Sequence, residues 1–511
     1  MFHYGTILRY IIVIIIIVII LVFLNRYYNT APPLLEIKLD KRIKQLKTDS
    51  ETILDTLKWC SQKFPKYTAL KYKKNDWTDI TYKQYYDKVV NFAESANEWL
   101  ESGVNCGIIG TNSTGWFYAH LGTMMNNGIS IGIHPTTPIK QCMKIIREHN
   151  IEILVTDDVE KFKDVEISPL KLIIYYAPQE EQLIKTFDIP VISMGNFMTK
   201  KRPLGKRHYN TTATIIYTSG TVEQKGIKIT HRDIMNSLNN TVTFINKHSN
   251  IADYVNGKLV SYLPLNHIAA QMFDIYLPIL TISTVWFADK HALTSSEKHP
   301  NGTLVNTLLA CKPTIFVGVP RVWEKLMEGI VGRLSDTFTR LTTQSYKLIE
   351  GIGLNECRLC ISTAAPISEF TRDYFESIGL HIYDAYGMSE TTGLISMSLP
   401  TVNKLGSVGK PLIPIKIEND GEILVKMKND WFHTGDIGNI DLDGYLFVTG
   451  RLKEIIITSG GENVSPLPLE NKIKSFLSDI VEHVVVIGNK KKFLTALLIL
   501  KQKKLSICRQ K

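Results

Sequence analysis

The sequence predicts an α/β protein with a mainly parallel sheet, carried on an N-terminal transmembrane helix. Two observations lead to that reading. Short apolar runs alternate with helix-periodic stretches over most of the chain, and residues 11–24 read IIVIIIIVIILVFL, fourteen apolar residues without a break. The background is ordinary globular composition, with 511 residues, 44% hydrophobic and 21% charged, which leaves room for two or three domains.

The apolar run is worth roughly −4 to −8 kcal/mol on an insertion scale, and Arg9 at its edge can extend its head to the interface. Counted from Ile7 to Leu24, the helix spans about 27 Å, close to the ~30 Å hydrocarbon core of a bilayer. Tyr10, Tyr27 and Tyr28 stand where interfacial aromatics belong. A cleaved signal peptide is the competing reading, but no small-x-small site follows, only NRYYNTAPP. Arg26, Lys38, Lys41, Arg42 and Lys44 follow the run, while only Arg9 precedes it. That asymmetry puts the body on the cytoplasmic side. The sequons at Asn112, Asn210, Asn239, Asn301 and Asn463 are then chance matches. Residues 1–30 form the expected anchor, and residues 29 to 50 read as a basic, proline-containing linker.

The alternation is legible run by run. CGIIGTN reads as a strand ending in a loop, STGWFYAHLGTMMNNG as a helix and ISIGI as the next strand. EILVTD, KLIIYY, TATIIYT, TIFVGV and RLCIST continue the series. Such a pattern argues a parallel architecture with ligands at the C-terminal ends of strands. The net charge of +10 is local, because residues 490–511 hold eight Lys/Arg and no Asp/Glu. A basic tail of this kind is a solvated end and argues no nucleic-acid partner. Seven cysteines in so long a chain make no disulfide framework. Cys357 and Cys360 form a lone CxxC with no second pair, so they read as ordinary thiols on a buried strand rather than a metal site.

The stretch TIIYTSGTVEQKGIKITH, Thr214 to His231, carries the first chemical signal. Thr218, Ser219, Gly220 and Thr221 supply three hydroxyls and a flexible backbone, a natural cradle for phosphate oxygens. No GKS or GKT follows, so it is not a Walker A loop. Alone, the tetrapeptide is explained as well by a polar strand-to-helix turn. Its companions add weight. YDAYGMSETTG, Tyr383 to Gly393, gathers an aromatic, two glycines, hydroxyls and one carboxylate, and WFHTGDIG offers Asp436 in a tight turn. GYLFVTGRLKEIIITSGGENVSPLPLE follows from Gly444.

Taken together these stretches resemble the AMP-forming acyl-CoA synthetases of the adenylate-forming superfamily. SYLPLNHIAAQMFDIYLP from Ser261, FVGVPRVWEK from Phe316 and SGGENVSPLPLE from Ser459 are similar to the bubblegum-type long-chain fatty acyl-CoA synthetases in particular. The resemblance runs from about Trp59 to Leu500. It implies a large ATP- and acyl-binding domain over 31–450, with parallel α/β sheets, and a small C-terminal lid over 451–511. It also implies a reaction: a long-chain fatty carboxylate attacks the α-phosphorus of ATP, with Mg2+, and the thiol of coenzyme A then displaces AMP. Bringing an anion onto a polyanion needs cations and oriented donors. By motif match, Thr218 to Thr221 and Lys225 would hold the phosphates, and Ser389 would stand at the α-phosphate. Glu390 would be the magnesium ligand, a hard oxygen for a hard ion. Tyr386, followed by Gly387, and the segment Thr363 to Pro366, with Ala365 inside it, would pack the adenine. Asp436 would accept from the ribose hydroxyls, Arg451 would donate to the nucleotide, and Lys453 would fall at the hinge. His267 would sit near the acyl carboxylate, with a structural role as its alternative.

Three departures from the family pattern stand out. Val222, Glu223 and Gln224 replace four residues, glycine among them, at the tip of the phosphate loop. Only Lys428, Asn429 and Asp430 separate GEILVKM from WFHTGD, where family members are longer. The lid is truncated, and no position matches a late lysine that the family uses in the first step. The reading is therefore a membrane-anchored fatty acid–CoA ligase with a shortened lid. The alternatives are a non-catalytic relative binding lipid or nucleotide at a membrane, and an adenylating enzyme with another acceptor.

Overall fold

A computed structural model describes residues 51–100, 103–199, 202–204, 211–217, 226–294, 302–333, 345–428, 430–477 and 480–501. The expected anchor, the loop Thr218 to Lys225 and the tail beyond Lys501 lie outside the described residues. Within them, no helix is long and apolar enough to cross a membrane.

After a helix over Ile53–Lys63, strands β1 (Thr68–Lys73) and β2 (Trp77–Thr81) form an antiparallel pair. Next comes a seven-stranded sheet made of β3 (Cys106–Ile109), β4 (Ser130–Ile133), β5 (Ile153–Thr156), β6 (Leu172–Tyr175), β7 (Val191–Ser193), β8 (Thr212–Tyr217) and β9 (Gly226–Thr230). Its order is β7-β6-β5-β3-β4-β8-β9, parallel except for the last pair. β3, β4 and β5 are buried along their whole length, as strands covered on both faces must be, which is why they read as unbroken apolar runs. Helix α1 (Thr114–Met125) follows β3, started by Ser113, whose hydroxyl accepts from the Trp116 N–H. Helix α2 (His231–His248) starts where β9 stops. Thr230 and Asp233 cap it reciprocally, so one short stretch ends a strand and begins a helix.

β10 (Lys258–Ser261) and β11 (Thr284–Phe287) join β1 and β2 in a four-stranded sheet. A third sheet runs in chain order: β12 (Ile315–Gly318), β13 (Leu359–Ser362) and β14 (Ile382–Met388) are parallel, and β15 (Gly393–Met397) and β16 (Lys410–Pro411) antiparallel. Helix α3 (Pro320–Arg333) follows β12, and helix α4 (Glu369–Ser377) lies between β13 and β14. Arg372 of α4 reaches Asp384 of β14 at 2.5 Å, fastening helix to sheet. β17 (Ile415–Ile417), β18 (Glu422–Met427), β19 (Asp430–Ile440) and β20 (Leu446–Arg451) then form an antiparallel sheet. The shortened connection seen in the sequence closes it tightly, with Met427 opposite Asp430. Last come β21 (Ile456–Ile457), β22 (Asn463–Val464), helix α5 (Pro466–Phe476) and the hairpin β23 (Val481–Ile487) with β24 (Thr495–Leu500). This unit leans on the preceding one: Lys474 of α5 pairs with Glu324 of α3 at 3.0 Å, and Ser465 Oγ donates to Thr449 O at 2.7 Å.

One buried polar cluster lies where the π-helical segment Gln271–Tyr276 passes β4 and β10. His120 of α1 bridges Ser130 Oγ at 2.8 Å and Tyr276 Oη at 2.7 Å, and burial pushes its pKa down to about 3. Nearby, Ser261 Oγ donates to Asp274 Oδ2 at 2.7 Å and accepts from Asn112 Nδ2 at 2.9 Å. Burial pushes the Asp274 carboxyl up to about 8, against the opposing pull of the Ser261 hydrogen bond. An unfolded aspartate titrates at about 3.9. Between those values the native chain holds one more proton than the unfolded chain, so this group lowers stability as pH rises. Asp274→Asn has no proton to lose. Its urea midpoint relative to the unsubstituted protein should climb from about pH 4 to pH 8 and stay level above that. A pH-independent difference would contradict the buried, protonated carboxyl.

Candidate active site

The hairpin between β14 and β15 brings four of the expected residues onto one turn. Tyr386 and Gly387 lie near the end of β14, just before Met388, and Ser389 and Glu390 form the turn, both half-buried. Gly387 is required by close approach, because a Cβ there would lie 2.1 Å from Gly393 O. Thr391 Oγ1 stitches the turn, lying 2.9 Å from Gly393 O and 3.1 Å from Met388 O. Thr392 takes a left-handed backbone at φ 57°, so the chain reverses sharply just behind Glu390.

Asp436 comes from a different sheet and meets this hairpin. Tyr386 Oη donates to Asp436 Oδ2 at 2.7 Å, and Arg451 Nε lies 3.2 Å from Asp436 Oδ1. The second contact is built into the ladder, since Asp436 on β19 and Arg451 on β20 are directly paired. Burial first, then the neighbouring Asp436, raises the Tyr386 phenol far above its usual range, so it stays a donor. The turn before Asp436 is held by Glu422. Its Oε1 accepts from Gly435 N at 2.9 Å, and its Oε2 lies 2.7 Å from His433 Nδ1. Thr434 Oγ1 accepts from the Asp436 N–H at 3.1 Å and donates to Ile423 O at 2.7 Å. The sequence reading missed Glu422. Its only signal is a lone acid opening the otherwise apolar run EILV.

The remaining expected residues are placed separately. Thr363 to Pro366 leaves the C-terminal end of β13; Thr363 N donates to Gly318 O at 3.1 Å, and Ala364, Ala365 and Pro366 form an exposed ledge. His267 caps the short helix Ile268–Ala270, half-buried, with the His134 ring 6.4 Å away. Burial, and then His134, lower its pKa, which keeps the ring neutral. Lys453 is exposed in the 3-10 turn Leu452–Glu454 that leaves β20. Of the phosphate loop, the structure shows its two roots: Tyr217 and Gly226 are paired across β8 and β9, with Tyr217 Oη 2.5 Å from His149 Nε2. The altered tip Val222 to Gln224, with Thr218, Ser219, Gly220, Thr221 and Lys225, falls outside the described residues.

These donors suit a magnesium nucleotide. Among the described residues no three His, Cys, Asp or Glu side chains gather around a cation site. A lone carboxylate such as Glu390 fits an ion that takes one or two protein oxygens and finds the rest on phosphates and water. Asp436 accepts from two donors on different elements, which holds its carboxylate in one orientation.

A protein whose parallel sheets lead into such a hairpin, an aspartate clamped behind it and a small C-terminal unit beyond belongs, by family comparison, to the AMP-binding enzymes. The AMP-binding enzyme family matches residues 57–440, and the AMP-binding enzyme C-terminal domain matches 453–511. Its relatives include the long-chain-fatty-acid–CoA ligase ACSBG2 of Gallus gallus, 33% identical over 88% of this chain and 67% of the relative. ACSBG1 of Homo sapiens is 31% identical over 86% of this chain and 69% of its own length. The fold is the α/β adenylate-forming fold. It superposes on the adenylation domain of a carboxylic acid reductase from Segniliparus rugosus, in complex with AMP and a co-purified carboxylic acid, with TM-score 0.73, 15% identity, and coverage of 92% of this chain and 84% of that one. For the o-succinylbenzoate CoA synthetase of Bacillus subtilis with ATP and magnesium ion the values are 0.66, 21%, 89% and 92%.

Proposed function

We propose that this chain activates long-chain fatty acids: it joins the carboxylate to AMP from ATP, releases pyrophosphate, and passes the acyl group to coenzyme A. The observation that carries the reading is the Tyr386–Asp436–Arg451 clamp set against the Ser389–Glu390 turn. Asp436 accepts the ribose hydroxyls, and Arg451 and Tyr386 hold its carboxylate in one orientation. Ser389 offers a hydroxyl to the α-phosphate. Glu390 would hold Mg2+, which supplies charge neutralisation across the phosphates. Neutral His267 offers the fatty carboxylate a hydrogen bond without adding charge. The names of the ACSBG relatives support a long-chain substrate.

The test is thioester formation by the full chain with ATP, Mg2+, coenzyme A and fatty acids of graded length. Thioester with long chains, and pyrophosphate release that depends on the fatty acid, support the reading. ATP binding without turnover would contradict it. The altered loop tip bears on the first half-reaction only. Chemically made acyl-adenylate plus coenzyme A is therefore expected to give thioester faster than fatty acid plus ATP, and equal rates would clear the tip of any effect.

The reading includes a single N-terminal anchor at Ile11–Leu24 with the body on the cytoplasmic face. Asn112 supports that side, since its amide nitrogen is engaged with Ser261 Oγ and Leu263 O and would be lost to a glycan. Protease added to sealed, right-side-out organelles should digest residues 31–511. Protection of the body, or a glycan on Asn301, would reverse the assignment.

A further inference from the structure

The third sheet carries a pair of thiols that nucleotide chemistry does not use. Cys360 is the second residue of β13, buried, and lies in register with Phe316 on β12 and Ile382 on β14. Cys357 is half-buried in the turn just before that strand, its N–H donating to Leu354 O at 3.0 Å. The Cys360 thiol points at Cys357, with the two sulfurs 3.4 Å apart and unbonded. Cys357 Sγ also faces Leu359 O at 3.5 Å and Thr314 O at 3.6 Å. No third metal-binding side chain completes a site around them among the described residues. Two thiols in van der Waals contact, one of them within reach of solvent, are arranged to lose two electrons together.

We propose that Cys357 and Cys360 form a redox-active dithiol, a modification site that a hydroperoxide converts into a disulfide. Cys357, the more exposed sulfur, attacks as thiolate the terminal oxygen of the peroxide. The O–O bond breaks, the remaining half leaves as water or alcohol, and Cys357 becomes a sulfenic acid. The Cys360 sulfur then attacks that sulfur. Its thiol proton leaves with the sulfenic hydroxyl as water, and the S–S bond forms. With hydrogen peroxide the balance is two thiols and one peroxide in, one disulfide and two waters out. Sulfur is oxidised and the peroxide reduced. The hydrogen bond to Cys357, reinforced by burial, keeps Cys360 in its thiol form, so Cys357 is the sulfur that meets the peroxide first, and Cys360 gives up its proton only as it attacks. Closure from 3.4 Å to a bond of about 2.05 Å moves the sulfurs by little more than an ångström. β13 is paired on both sides, so the turn carrying Cys357 takes up that movement. Disulfides of this kind in a reducing compartment are transient or sensory.

The test uses the intact, reduced protein and hydrogen peroxide, followed by alkylation, tryptic digestion and mass spectrometry. Arg358 separates the two cysteines, so a disulfide leaves a distinctive product: the peptide ending at Arg358 joined to the peptide starting at Leu359. That linked pair should form in most molecules and disappear with dithiothreitol. Cys360→Ser removes the second thiol, and Cys357 should then be trapped as a sulfenic acid by dimedone at several times the level of the unsubstituted chain. Full alkylation of both cysteines after peroxide, or equal dimedone labelling with and without Cys360, would overturn the proposal. The first measurement requires no variant, so a folding defect in Cys360→Ser cannot decide the matter.

Discussion

Replacing Glu390 with glutamine should lower pyrophosphate release at saturating ATP and Mg2+ by roughly a hundredfold or more, with a smaller effect on nucleotide affinity. Glutamine keeps the size of the side chain and one oxygen, and loses the charge that a hard divalent ion needs. Removing a single group aimed at developing charge costs on the order of 10²–10³ in rate. Glu390 sits on a turn fixed by Thr391 and by the Gly387–Gly393 approach, so the substitution leaves the hairpin standing. Rates within threefold of the unsubstituted protein would remove Glu390 from the chemistry. Raising Mg2+ separates the causes: partial recovery points to the ion, and no recovery points to geometry.

Asp436→Ala should weaken ATP binding by roughly ten- to a hundredfold, the cost of losing hydrogen bonds to a charged acceptor. Titration of binding, rather than turnover, is the measurement. The same change strips Tyr386 Oη of its acceptor and Arg451 of its partner, so a fall in melting temperature is expected as well. Asp436→Asn tells the two effects apart, since it can keep the tyrosine contact while weakening the arginine one. Unchanged affinity in a folded Asp436→Ala protein would sink the ribose assignment.

The strand series was legible because parallel strands buried on both faces must be apolar throughout. IILVT-like runs at β3, β5, β6, β8, β12 and β13 therefore declare themselves without any partner. The candidate site was legible only as an ordered set of motifs. Neither Tyr386 nor Asp436 announces a contact with a residue fifty positions away, because register between sheets is not written in either stretch. The Asp436–Arg451 pair is nearer to local information, being set by a hairpin. Glu422 and the Ser261–Asp274 pair were missed for a related reason. A polar group whose partners come from distant elements looks, in sequence, like any other polar residue. That the Cys357 and Cys360 sulfurs face each other was not legible either, because spacing alone cannot say which way two sulfurs point.

The ladder pair between Asp436 and Arg451 also governs how the C-terminal unit can swing. Arg451 is the last residue of β20, and Lys453 lies just beyond it in an exposed turn. A rotation about a bond just before Arg451 would pull it from Asp436 and spoil the proposed grip on the sugar. A rotation about the bonds that follow leaves that pair untouched, and the polar contacts that resist it among the described residues include Ser465 on Thr449, Lys474 on Glu324 and Arg321 near Glu482 at 4.0 Å. On the proposed reading, the Asp436–Arg451 pair is a fixed bearing, and a swinging C-terminal unit would be mounted immediately outside it.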